Sequence, residues 1–234
     1  AGLGVASQVP YDVPFEKVNA YCDVLIVGGG AAGLSAALSA GRAGARVVLV
    51  DEGLAPGSHL VGNRQIGING IDADAWVRAS VAELESLSNV RLLPKTTAFG
   101  LYDGQVAGLV QRLDPSDPRD LSERYWVLRA KKIVLATGAI ERPLVFAGND
   151  RPGVMLAGAL GTYARQFAVA AGHHPLLFTN NDTAYALAQE LMSYGIRDIT
   201  IADSRREVKA DLTSAARDRG IGVYLGHGLS LIHI

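Results

Sequence analysis

Residues 22–38 read CDVLIVGGGAAGLSAAL, and the reading of that stretch decides the fold. Val24 to Val27 is a continuous apolar run that ends at three glycines and passes into small, helix-forming residues. Such a run marks a strand buried on both faces of a parallel sheet. Ala31 to Ala43 reads as a helix that Gly44 ends, and Arg46 to Val50 as the next strand, closing on Asp51-Glu52. Strand, glycine turn, helix and strand make one βαβ unit. Gly28-x-Gly30-x-x-Gly33 at its first turn has the spacing of a dinucleotide-binding loop. Gly28 permits the tight turn, Gly30 lets backbone approach a pyrophosphate, and Gly33 lets the helix close on the strand. The helix N-terminus offers free N–H groups to the phosphates. Asp51 lies eighteen residues past Gly33, where its carboxylate can accept both hydroxyls of an adenosine ribose. A carboxylate there would repel a 2′-phosphate, which favours NAD or FAD over NADP. The bland alternative is a sheet turn that merely needs glycine.

Working outward, residues 1–20 carry Pro10 and Pro14 and no period, and read as an irregular linker from something upstream. Residues 54–70 are glycine-rich and irregular. Ala73 to Leu87 has helical spacing at Trp76, Val77, Val81, Leu84 and Leu87, with Asp72 as its N-cap. Val90 to Leu93, Thr97 to Tyr102, Val106 to Leu113 and Tyr125 to Ala130 read as strands of a small antiparallel insertion, and Lys132 to Ala136 as a further buried strand. After Pro152 the pattern restarts: helix Ala157 to Ala171, strand Leu176 to Thr179, helix Thr183 to Tyr194, strand Ile199 to Ala202 ending at Asp203. The expected organisation is a first dinucleotide-binding domain over 21–148 with its insertion at about 90–130, and a second, incomplete Rossmann-like domain over 149–228.

The second half lacks the phosphate-binding chemistry of the first. Its corresponding turn, residues 179–184, reads TNNDTA and holds no glycine. Asp182 would repel a phosphate there and is read as the cap of the helix that follows. The sequence therefore supports one nucleotide, not two.

Composition excludes several functions. The 234 residues are 49% hydrophobic and 19% charged, a globular profile with room for one large or two small cores. Lys+Arg 22 against Asp+Glu 23 leaves a net charge of −1 and no basic face, which argues against nucleic acid as a partner. No apolar run reaches membrane-spanning length and no signal peptide is visible, so no membrane role and a cytoplasmic location are expected. The single cysteine, Cys22, rules out a CxxC redox pair and a cysteine zinc site, and reads as a small buried residue. The adjacent His173-His174 read as loop histidines, since neighbouring side chains rarely converge on one ion; no metal site is assigned. Ser35 and Ser39 lack a paired histidine and acid. Glu141-Arg142-Pro143 and Arg151-Pro152 read as residues that shape the crossing between halves, and no catalytic residue is assigned. Both ends look cut: Ala1 is not an initiator methionine, and residues 229–234, LSLIHI, match a frame translation of a transposon end and read as a non-native tail.

VLATGAIERPLVFAGNDRPGVMLAGAL over 134–160 resembles the α subunit of heterotetrameric sarcosine oxidase, as do CDVLIVGGGAAGL over 22–34, TTAFGLYD over 96–103 and FTNNDTAY over 178–185. The similarity extends over about residues 15–228, and the wider group includes flavoprotein subunits of opine oxidases, dye-linked proline dehydrogenases and cyanide synthases. The resemblance implies an α/β fold of two Rossmann-like halves, of the FAD/NAD(P)-binding, glutathione-reductase type, with a small antiparallel β insertion. It implies NAD+ in the glycine-motif site (alternative FAD), and, in the complete complex, FAD on a β subunit that oxidises sarcosine to glycine and FMN at the α/β interface. Partners would be β, γ and δ subunits, with the small amine substrate on a partner chain. Carried onto this chain, the NAD contacts would involve Ala32, Asp51, Glu52, Gly53, His59 and Ala98, with Gly138 near the bound dinucleotide. The family often has paired glycines where this chain has Gly57-Ser58.

Three functions are therefore in competition: a non-catalytic, NAD-bearing part of a multi-subunit amine oxidase, a self-sufficient FAD oxidoreductase of the pyridine-nucleotide type, and a scaffold with an empty nucleotide fold. The missing CxxC pair and second glycine motif speak against the second.

Overall fold

The computed structural model describes residues 13–58, 60, 67–114, 116 and 119–228. The N-terminal dozen residues, His59 and the tail 229–234 lie outside them. Contacts divide the chain into two compact units, one within Ala1–Ser58 and Val77–Gly138, the other within His59–Trp76 and Ala139–Ile234.

The first unit begins with β1 (Phe15–Val27), α1 (Ala31–Arg42) and β2 (Val47–Val50). β1 is longer than the apolar run that announced it, so residues 15–20, expected as irregular lead-in, are strand. Their alternation was masked because an inward position carries Glu16, which pairs with Arg119 and Arg124. The glycine-rich stretch after β2 contains a hairpin that falls within the second unit, β3 (Gly67–Ile68) and β4 (Ile71–Asp72), where regular structure was not expected. Asn69 and Gly70 both have positive φ (52° and 77°), the demand that favours Asn-Gly in a tight hairpin turn. α2 (Ala73–Ser86) follows, and Asp72 caps it, its Oδ1 accepting the Ala75 N–H at 3.1 Å.

β5 (Val90–Leu93), β6 (Thr96–Tyr102), β7 (Val106–Arg112) and β8 (Glu123–Leu135) complete a six-stranded sheet in the order β5-β2-β1-β8-β7-β6. The first four strands in that order are parallel, and β7 and β6 join antiparallel. β8 is one continuous strand where two were expected, either side of Lys131. It pairs with β1 from Phe15↔Glu123 to Val27↔Leu135. Lys131 does not break it because Asp23 takes its Nζ at 2.9 Å, along with Arg46 Nε at 3.0 Å. Arg46's side chain and backbone N–H, then Lys131, hold the Asp23 carboxyl well below the usual aspartate range. The core beneath the sheet gathers Cys22, Leu25, Val48, Val50, Leu109, Trp126 and Leu128. α1 buries Leu34, Ala37 and Leu38, and its Gly41 lies so close to β5 that a Cβ would meet Val90 Cγ2 at 2.8 Å.

The second unit runs α3 (Ala157–Phe167), β9 (Leu176–Thr179), α4 (Thr183–Ser193), β10 (Thr200–Asp203), α5 (Ala210–Arg217) and β11 (Gly222–Leu225). Its sheet is parallel, in the order β11-β10-β9. Leu160, Leu177, Tyr185, Leu191, Ile199, Ile201 and Ala216 form its core, and Arg165 of α3 ties to Glu190 of α4 at 2.8 Å. α3 stops four residues short of the expected Ala171, because Ala168 adopts the left-handed conformation (φ 53°) with no glycine to signal it. α5 and β11 gave no sequence signal: the helix buries only Thr213 and Ala216, and the strand exposes Tyr224. No helix among the described residues is long and apolar enough to cross a membrane.

Cys22 is 1% exposed within β1. Burial first, then the neighbouring Asp23 charge, pushes its thiol up to about 11. The thiol is therefore protonated at about pH 8 and should not react with a disulfide reagent until the chain unfolds, when one equivalent should titrate. Rapid reaction of the native protein would contradict this placement.

Candidate functional site

The carboxyl ends of β1, β2 and β8 meet at the glycine turn. Gly28 leaves β1 with φ 105° and donates its N–H to Val50 O at 2.8 Å. A side chain cannot sit there: a Cβ on Gly28 would lie 2.3 Å from Ala136 O at the end of β8. A Cβ on Gly33 would lie 1.8 Å from Gly28 O. Both glycines are thus required by close backbone approach, as the spacing suggested. Gly30 is the N-cap of α1 with no side-chain cap, and no acid lies in the first turn. The first helical bond runs from Leu34 N to Gly30 O, so the N–H groups of Ala31, Ala32 and Gly33 precede it. Ala32 is exposed there. An uncapped N-terminus of a twelve-residue helix, facing a side-chain-free turn, fits the pyrophosphate of a dinucleotide.

Asp51 is 4% exposed. Its Oδ2 accepts the Gly29 N–H at 2.5 Å, and its Oδ1 accepts the Gly53 N–H at 2.8 Å. Its backbone is fixed as well, with Asp51 N on Leu93 O at 3.1 Å and Thr96 N on Asp51 O at 2.8 Å. The sequence presented Asp51 as an acceptor for a ribose. The structure adds a prior role, that of a clasp between the glycine turn and the loop after β2. A carboxylate has about four acceptor positions, so two backbone bonds leave capacity for hydroxyls.

The other expected residues fall as follows. Glu52 is exposed beside Asp51, and Gly53 spends its N–H on Asp51. Ala98 stands two residues along β6 from Thr96 and packs against the first unit's core. Gly138 follows β8 with φ 69° and open space where a Cβ would be. His59 lies outside the described residues. Among the described residues, no three His, Cys, Asp or Glu side chains come together as a metal site. His174 and Asp198 approach to 3.5 Å, both 74% exposed. Ser39 Oγ donates back to Ser35 O at 2.9 Å. Glu141 accepts the Gly158 N–H at 2.7 Å and so caps α3.

The equivalent edge of the second unit is built differently. Asp182 sits at the N-cap position of α4 but makes no side-chain cap bond, contrary to expectation. Asn181 Oδ1 takes that role, accepting Thr183 N at 3.0 Å, while Asp182 Oδ1 accepts Arg205 Nη1 at 2.7 Å. Arg205 escaped notice in the sequence, although an arginine two residues past a strand-end acid is the signal that would have found it.

Comparison with known proteins bears on this geometry. The family model for pyridine nucleotide-disulphide oxidoreductases matches residues 22–229. The chain is 49% identical over 221 residues to the sarcosine oxidase subunit alpha of Rhizobium meliloti (strain 1021), covering 93% of this chain and 22% of that protein. It is 43% identical over 227 residues to the subunit of the same name from Corynebacterium sp. (strain P-1), covering 95% and 23%. The chain therefore spans less than a quarter of the length of these relatives. The crystal structure of L-proline dehydrogenase from P. horikoshii superposes with a TM-score of 0.64 at 28% identity, covering 87% of this chain and 39% of that one.

Replacing Asp51 by alanine removes both acceptors. Leaving the buried Gly29 N–H unpaired should by itself cost about 1–3 kcal/mol of stability, read in urea unfolding. Nucleotide retention should fall by about the 1.5–3 kcal/mol typical of hydrogen bonds to a charged group. Asp51→Asn, which keeps one oxygen, should lose less of both. An unchanged unfolding midpoint would remove the clasp, and unchanged nucleotide content would remove Asp51 from the site.

Proposed function

The chain belongs to the pyridine nucleotide-disulphide oxidoreductase family, and on that premise we propose that it is the dinucleotide-binding portion of the alpha subunit of a multi-subunit, sarcosine oxidase-type oxidoreductase. The observation that carries this is the uncapped N-terminus of α1 set against a side-chain-free turn and the buried carboxylate of Asp51. The fold that binds FAD or NAD(P) is present, whereas a redox disulfide cannot form within these 234 residues, which contain one cysteine. The described residues also bring no nucleophile, base and orienting acid together around the turn.

In this reading the chain's residues bind and orient. Gly28, Gly30 and Gly33 let backbone approach the pyrophosphate, the N–H groups of Ala31 to Gly33 meet its charge, and Asp51 receives the adenosine ribose. Glu52, Gly53, Ala98 and Gly138 flank the ligand. The bound nucleotide is NAD+, and a carboxylate rather than an arginine at the ribose disfavours NADP+. A dinucleotide of this class supplies a hydride-accepting ring when bound. A flavin on a partner β subunit would supply the oxidation of the amine, sarcosine to glycine, with FMN held at the shared interface and γ and δ subunits completing a cytoplasmic complex. The 49% identity to a sarcosine oxidase alpha subunit supports this assignment over the opine and proline enzymes.

The released nucleotide tests the reading. Purified protein should be colourless and, on denaturation, yield NAD+ by mass spectrometry. With sarcosine, FAD, FMN and NAD+ supplied, it should make no peroxide above a heat-killed control. A yellow protein releasing FAD and producing peroxide alone would instead establish a self-sufficient flavoenzyme, and release of nothing would establish a scaffold.

A further inference from the structure

In a Rossmann-like fold the ligand lies across the carboxyl ends of the parallel strands. In the second unit those ends are filled by the chain's own charges. Arg205 follows β10 by two residues. Its Nη2 donates to Asp203 Oδ2 at 2.7 Å, its Nε to Asp203 Oδ1 at 3.1 Å, and its backbone N–H to Asp203 Oδ1 at 2.9 Å. Its remaining arm, Nη1, reaches Asp182 Oδ1 at 2.7 Å in the turn after β9. The Tyr185 hydroxyl adds a further donor to Asp203 Oδ2 at 3.1 Å.

Asp203 is the topological counterpart of Asp51, each being the acid at the end of the second strand of its βαβ unit. The two differ in what they have left to give. Asp51 holds two backbone N–H groups and keeps acceptor capacity. Asp203 is wholly buried and its roughly four acceptor positions are spent on Arg205 and Tyr185. Burial pushes its carboxyl up, but the Arg205 side-chain and backbone bonds and the Tyr185 hydroxyl outweigh that and hold it below the ordinary aspartate value. Tyr185 in turn is pushed up to about 12, by burial first and then by Asp203. The cluster is therefore a charged, fully formed ion pair at neutral pH. The turn is equally closed, since Asn181 Oδ1 takes both Thr183 N at 3.0 Å and Thr183 Oγ1 at 2.5 Å. At the start of α4 the Thr183 N–H is thus spent on a side chain of the turn, whereas α1 starts with no side-chain cap.

We propose that Arg205 closes the second fold to dinucleotides, its guanidinium bridging the turn acid Asp182 and the strand-end acid Asp203 across the space a ribose and phosphate would need. Arg205 is a specificity-determining residue in this account. Free pyridine dinucleotide cannot dock in the second fold, so hydride does not enter through it. The inference does not depend on which nucleotide the first fold holds.

Backbone amide spectra of the 15N-labelled chain during titration with NADH, and separately NADPH, test it. In the wild type, amides of Asn180–Thr183 and Asp203–Arg206 should not shift at millimolar nucleotide. In the double variant Arg205→Ala, Asp182→Asn, which frees the Asp203 carboxylate and removes the negative charge of the turn, NADH should shift the Asp203–Arg206 amides saturably at concentrations where the wild type stays silent. If that variant loses the dispersion of the second unit's amides, Arg205→Gln with Asp182→Asn keeps a long polar side chain at 205 without a cation on Asp203 and carries the same test. Saturable second-fold shifts in the wild type would overturn the proposal. A folded variant as silent as the wild type would overturn it too, by showing that something other than Arg205 closes the fold. The amides of Gly28–Gly33 report the first fold separately, so a failure there is seen as its own result.

Discussion

Everything that could recognise a nucleotide here depends on one carboxylate placed between two loops. Asp51 stands at the end of β2 and holds Gly29 on one side and Gly53 on the other. Hydrogen bonds from N–H groups to a charged, buried acceptor are worth more than neutral ones, about 1.5–3 kcal/mol. The contact also fits only because neither partner carries a side chain: a Cβ on Gly29 would meet Asp51 Oδ2 at 2.9 Å, and one on Gly53 would meet Oδ1 at 2.8 Å. The clasp therefore fixes the glycine turn before any ligand arrives, and a preorganised turn spares the ligand the cost of ordering it.

The chain repeats this topology and uses it in opposite ways. In both units a strand leads through a turn into a helix and on to a second strand ending in aspartate. Glycines leave the first turn open to an anion, and the acid is shared with backbone alone. In the second, asparagines fold the turn onto its own hydroxyl and amide, and an arginine neutralises both acids. A buried ion pair of this kind is weak evidence for stability, because desolvation offsets much of the attraction. Its consequence for binding is firmer, since an acid already saturated with donors has nothing to offer a ribose.

Local patterns exposed the βαβ unit, the glycine turn and the Asp72 cap to sequence reading, because their signals lie within a few residues of one another, whereas the cap read at Asp182 proved to be Asn181. The apolar run Val24 to Val27 and the acid at Asp51 are legible for that reason. What stayed hidden depends on partners far away in sequence. Glu16 belongs in a strand only because Arg119 and Arg124 neutralise it, and Lys131 only because Asp23 waits on the adjacent strand. Arg205 carried only half a signal: its place two residues past Asp203 is local, but its second partner, Asp182, is supplied by the turn after another strand. Asp51 itself was half read: its type and position pointed to a ribose, but nothing in the local sequence says that its oxygens first hold two loops together.

The most direct measurement is a crystal structure of the protein purified without added nucleotide and then soaked with NAD+. The account predicts pyrophosphate density against the N–H groups of Ala31 to Gly33, the adenosine ribose within hydrogen-bonding reach of Asp51, and no nucleotide at Asn180 to Thr183. A dinucleotide lying across the ends of β9 and β10 with the first turn empty would contradict it.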